Sequence, residues 1–168
     1  MRRRTLLAAT AACLAACVSP PAPRAKRRLT GADVFAVDPA VLRAAVLTDA
    51  RVTIQAVVIE VRSPALDERF VIRLQQPAAA DPRLPPAPQD LAWRVLALSS
   101  GEAATLVTVR QMLASRLPGP EGLAVTVSAQ PALVPADLLA ALPVRIEALV
   151  DNREGWFTLA EGTLDLRP

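Results

Sequence analysis

The stretch from Arg51 to Arg62 constrains the fold most. It is rich in Val and Ile and contains neither Gly nor Pro, a composition that suits a pleated, half-buried strand. Thr53 and Gln55 put polar side chains on odd positions, whereas Glu60 and Arg62 put them on even ones. Strand side chains alternate with a period of two, so one regular strand cannot present both sets on one face. The phase therefore switches around Ala56–Val58, which requires a bulge or a middle buried on both sides. From Arg69 to Gln75 the alternation is clean, with Phe70, Ile72 and Leu74 on one side. Ser63-Pro64 and Asp67-Glu68 supply the turn between them, so an antiparallel pair is expected.

Further runs follow the same logic. Trp93, Val95 and Ala97 alternate with Arg94, Leu96 and Leu98; Val125 and Val127 stand opposite Thr126 and Ser128. Val144, Ile146, Ala148 and Val150 alternate with Arg145 and Glu147, and a turn over Asp151–Gly155 leads to Trp156–Leu159. Glu161-Gly162 reads as another turn before Thr163–Leu166, so the end of the chain has the pattern of a β-meander.

Helices are predicted at three places. Asp38-Pro39 is a helix start, since aspartate caps and proline suits the first turn, and Val41, Leu42, Ala45 and Val46 then share one face. Ser99 with Glu102 forms a capping-box pattern. The helix it opens runs to about Arg116, with Ala103, Leu106, Val107, Leu113 and Leu117 as its apolar stripe and Pro118-Gly119 as its stop. Pro135–Leu142 suits a short helix ended by Pro143. Ala78–Pro88 carries Pro82, Pro85, Pro86 and Pro88, which keeps it out of a sheet interior; it is expected to be a passive surface loop rather than a functional flap. The expected architecture is a single α+β domain over residues 29–168: an antiparallel sheet of about six strands with two or three covering helices. With 52% apolar but only 3% aromatic residues, its core is aliphatic, and the tryptophans are expected within it.

The chemistry is bounded by what is missing. From Leu29 to Pro168 there is no His, Cys, Tyr or Lys. This removes the usual neutral-pH bases and activated nucleophiles, along with imidazole or thiolate metal sites; Met112 is the one weak haem-type ligand. No glycine-rich phosphate cradle is present, since Gly119-Pro120-Glu121-Gly122 reads as a turn. Carboxylates remain. Asp67-Glu68, Asp151/Glu154 and Glu161/Asp165 are the local pairs that a carboxylate-only hydrolase would use, and Asp151, Asn152 and Glu154 are the nearest approach to a calcium loop. All lie where solvated turn acids are expected. No catalytic, cofactor or metal site is assigned. Twelve basic residues face sixteen acidic ones from Leu29 onward, a formal −4, which argues against nucleic acid as a partner.

The amino terminus points to a location. Arg2, Arg3 and Arg4 precede a short apolar run from Leu6 to Leu14, about half the ~20 residues that a spanning helix needs. It is followed by Leu14-Ala15-Ala16-Cys17, a tetrad that resembles the lipobox of bacterial lipoproteins. The resemblance covers about the first 20 residues. It implies cleavage of residues 1–16, a diacylglyceryl group on the Cys17 thiol and acylation of the new amino group. Cys13 would leave with the signal. Val18, in place of the aspartate that retains lipoproteins in the inner membrane, favours the outer membrane. Arg3-Arg4-Thr5-Leu6-Leu7 is also similar to a twin-arginine export signal, although an ordinary positive start explains it as well. Residues 17–28 form a tether whose Pro20, Pro21 and Pro23 favour an extended spacer; its basic cluster (Arg24, Lys26, Arg27, Arg28) would lie on anionic headgroups or in solvent.

The expected function is that of a membrane-anchored envelope lipoprotein, facing the periplasm, with a non-enzymatic domain that binds an envelope protein or supports an assembly. The alternatives are a lipid- or glycan-binding carrier and a carboxylate-only hydrolase.

Overall fold

A computed structural model describes residues 26–164 and Leu166. The signal sequence, Leu14, Ala15, Ala16, Cys17, most of the tether and Asp165 lie outside the described residues.

Seven strands form one sheet: β1 (Arg43–Asp49), β2 (Thr53–Ser63), β3 (Glu68–Pro77), β4 (Leu91–Leu98), β5 (Ala124–Leu133), β6 (Leu142–Leu149) and β7 (Trp156–Leu164). The order across the sheet is β5-β2-β3-β4-β1-β6-β7, and each neighbouring pair is antiparallel. The sheet curls into a nearly closed barrel with one main helix. This corrects the expected α+β layering: the protein is mostly β, with seven strands rather than about six.

The β2–β3 pair forms as its alternation predicts, with Ile59 opposite Ile72. The phase switch in β2 combines both anticipated causes. Register shifts against β5 fall at Ile54 and Ala56, and Ala56, Val57, Val58 and Ile59 are all buried.

Three local readings are overturned. The helix expected after Asp38-Pro39 is absent: Asp38 accepts from the backbone N–H groups of Val41 and Leu42 in a turn, and β1 follows. Val41, Leu42, Ala45 and Val46 look helical in spacing because β1 is buried on both faces. Leu42 and Val46 enter the main core, while Val41 and Ala45 pack outside it. The two strands expected after Trp156 are one continuous β7; in place of a turn at Glu161-Gly162 there is a register irregularity against β6 near Ile146/Glu147. The helix expected over Pro135–Leu142 shrinks to one 3-10 turn, Ala136–Leu138, and Pro143 belongs to β6.

Helix α1 (Gly31–Ala36) gave no periodic signal, being only six residues long. Its start is nevertheless encoded, because Thr30 and Asp33 exchange the two bonds of a capping box. Helix α2 (Ser100–Arg116) starts as expected, with the Ser99 hydroxyl accepting from the Glu102 N–H. The Glu102 carboxylate does not return the bond; it accepts from the Arg73 N–H of β3 and ties the helix to the sheet. The buried face of α2 is Leu106, Val109 and Leu113, and Val107 is exposed. Arg110 joins the helices by donating to the carbonyl oxygens of Val34 at 2.7 Å and of Val37. Burial pushes its guanidinium below its ordinary pKa.

The main core combines inward residues of the strands with α1 and α2, including Val57, Ile72, Leu74, Leu106, Leu113 and Leu142, each almost fully buried. The tryptophans lie elsewhere. Trp156 and Trp93 belong to a second apolar cluster with Ala45, Val95 and Leu149 on the outer side of the sheet. Alternation explains the split: Phe157 of β7 enters the main core, so its neighbour Trp156 must face outward.

Candidate binding seam

The outer cluster and the gap between the two sheet edges both combine apolar surface with polar groups. The first is the outer cluster, which the loop between β3 and β4 covers. Leu84 inserts beside Trp156 and Leu149. The Trp93 indole N–H donates to the Pro85 carbonyl at 2.8 Å, and the Trp156 indole N–H donates to Asp81 Oδ2 at 3.0 Å. Asp81 also accepts from the Arg83 backbone N–H and guanidinium. The Arg83 bond above all holds the Asp81 carboxyl well below the usual carboxylate range, against the opposing effect of burial, and the Arg83 N–H and the Trp156 indole add to it. Arg83 in turn is raised by Asp81. A polar notch of about 190 Å³ remains at this edge, walled by Asp81, Arg83, Asn152 and Trp156.

The second place is the seam between the two edges of the sheet. Its end near the start of β7 is closed by the chain that enters the domain. Lys26 forms a parallel bridge with Thr158, and the Arg27 N–H donates to the Thr158 carbonyl at 3.1 Å. The Arg27 guanidinium lies 4.2 Å from the centre of the Phe157 ring and pairs with Asp33 and Glu154. Lys26 and Arg27, read with the tether in sequence, are thus bound to the barrel. Helix α1 then reaches the start of β5, where a Cβ on Gly31 would stand 2.4 Å from the Pro120 carbonyl oxygen. Only glycine permits that approach. At the opposite end the Leu166 N–H donates to the Leu139 carbonyl, tying the chain after β7 to the β5–β6 connection.

Between these closures the seam is open. A cavity of about 370 Å³ is lined by Val127–Ala129 of β5 and Ala160–Leu164 of β7, with Val144 and Ile146 of β6 among its walls. Val144 and Ile146 belong to the main core, so the opening reaches the barrel's apolar interior. Its volume falls in the range of ordinary ligand sites, roughly 300–1,000 Å³. The rim carries charge. Glu161 pairs with Lys26 at 3.0 Å and with Arg145 at 3.7 Å; the Lys26 bond is the main reason its carboxyl lies below its ordinary pKa. Arg145 continues to Glu147 at 2.6 Å and to the Thr158 hydroxyl at 3.1 Å. Glu147 is a fully buried carboxylate, a state that a paired cation makes tenable.

The acidic pairs singled out in sequence are not gathered into one centre. Glu68 accepts from Arg116, Glu154 from Arg27, and Asp151 from the Arg153 N–H within its own turn. Glu161 sits on the seam rim, its sequence partner Asp165 lies outside the described residues, and Met112 packs against the main core. Among the described residues no group of three acidic, His or Cys side chains is placed to hold a metal. Sequence reasoning missed the seam. Its one local trace is the glycine in β7, since Gly within a strand often marks a bulge or a close approach. No family model matches the chain, and comparison with curated proteins and with solved structures finds no match either.

Proposed function

We propose that this protein is a lipid-anchored component of a bacterial envelope whose barrel binds a protein partner. The anchor follows from the resemblance of Leu14-Ala15-Ala16-Cys17 to a lipobox: acyl chains on Cys17 hold the domain within tether reach of a bilayer, most simply the outer membrane facing the periplasm. One buried chain binds a membrane marginally and two or more bind firmly. The binding role rests on one observation, the open seam: two sheet edges flank a cavity whose walls reach the core. Exposed edges left with apolar surface between them are costly unless something covers them. The role is binding rather than catalysis, because the folded region lacks His, Cys, Tyr and Lys. A lipid carrier is the second reading, favoured by the apolar walls Val144 and Ile146.

Two measurements test the proposal. Mass spectrometry of the processed protein is expected to find a lipidated Cys17 as the first residue, and Cys17→Ser to release the protein from membrane fractions. Crosslinking in intact envelopes is expected to join the barrel to a defined protein. An unmodified amino terminus, or crosslinked material no richer in any protein than the control, defeats the corresponding half.

A further inference from the structure

We infer that the seam receives an extended segment of the partner, running antiparallel to both β5 and β7 and completing the barrel as its eighth strand. This rests on the partner-binding reading above. The argument begins with parity. Six antiparallel steps separate β5 from β7, and an even number of reversals leaves the two edges running in the same direction. They cannot close on each other with the ladder used everywhere else in the sheet. A single inserted strand of opposite direction makes an antiparallel ladder on each side. An acyl chain would cover the apolar walls but leave the backbone N–H and C=O groups of both edges without protein partners; a polypeptide serves both needs.

The β7 edge is free to bond added backbone, as Lys26 and Arg27 show through an isolated parallel bridge to Thr158 immediately before the opening. That contact also limits the insert. Only the stretch beside Ala160–Leu164 remains, roughly 16 Å of strand at about 3.3 Å per residue. Inward side chains of the segment face Val144 and Ile146 and are therefore aliphatic. Outward ones are polar, with no acid placed beside Glu161.

The test uses full-length lipidated protein in detergent micelles. A phage-displayed library of random octapeptides is selected on it, and the best binder is synthesised. Selected peptides are expected to alternate apolar and polar residues. N-methylation at any central residue, of either parity, should weaken binding about tenfold or more, because an inserted strand uses its amides on both sides. Gly162→Trp should abolish binding: Gly162 lines the cavity opposite Val144 and a Cβ there meets nothing within 4 Å, so a side chain starts on the seam side in open space, and circular dichroism checks that the fold is kept. Val107→Trp, on the exposed face of α2, should leave binding unchanged.

Failure to enrich any peptide overturns the inference. So does loss of binding on N-methylation at one parity only, which means addition to a single edge. So does a fluorescent fatty acid that binds wild type but not Gly162→Trp while no peptide binds. A partner crosslinked equally well by wild type and Gly162→Trp overturns the seam but spares partner binding. No crosslinked partner for the wild type removes the reading beneath both.

Discussion

The outer cluster and the seam are both apolar regions of one barrel, yet the chain treats them oppositely. Over the outer cluster a proline-rich loop is drawn down by two indole hydrogen bonds and by Leu84. Over the seam nothing in the described chain is drawn down, and a cavity of about 370 Å³ leads to core residues. Among the described residues a whole loop covers the outer cluster, whereas only the two ends of the seam are closed. The loop expected to be a passive insertion is the cover; the edge of the sheet, unremarkable in sequence, is the opening.

Three substitutions sharpen the contrast. Trp156→Ala should have the largest effect, since it removes a buried aromatic side chain (6% exposed) and the anchor of Asp81. Such truncations cost about 3–5 kcal/mol, measurable by urea unfolding. A loss below about 1 kcal/mol would mean that the loop is not held as described.

Asp81→Asn should cost about 1–2 kcal/mol and remove a pH dependence. The folded carboxyl lies well below its usual 3.8. Its stabilisation is therefore complete above about pH 4 and is lost as pH falls from there toward the folded value. Both tryptophans of the protein contact this loop, so intrinsic fluorescence reports its docking. The wild-type signal should change as pH falls below about 4, and the Asp81→Asn signal should stay flat over the same range. Identical titrations would remove Asp81 as the anchor.

Gly162→Trp should have the smallest effect on stability, within about 0.5 kcal/mol as for substitutions into open space, while the proposed strand insertion is expected to be lost. A large loss of stability would show that the seam is already filled by structure.

Much of the fold was legible because local physics sets it. The β2–β3 pair follows from alternation and a polar turn, and the start of α2 follows from Ser99. The conflict of phase in β2 called for a bulge or a doubly buried middle; the middle is doubly buried, and the register shifts lie just before it, between Thr53 and Ala56. In β1 both faces are buried, one by the barrel interior and one by the outer cluster, and the apolar positions of such a strand mimic helical spacing. In β7, Glu161-Gly162 has turn composition but continues pairing with β6. In α2, Val107 yields the core to Val109, because the direction of the sheet chooses the buried face. The seam left almost no local signal, since an opening between residues 127–129 and 160–164 depends on strands far apart in the chain.

By itself the sequence determined the aliphatic core, the antiparallel β2–β3 pair, the Ser99 cap of α2 and the chemistry closed to a domain without His, Cys, Tyr or Lys. Each of these depends only on side-chain type and short-range spacing. Tertiary structure alone decided which surfaces end up covered. Strand order and the parity of antiparallel steps are properties of the whole sheet, and they leave two parallel edges facing each other with no local residue to announce it.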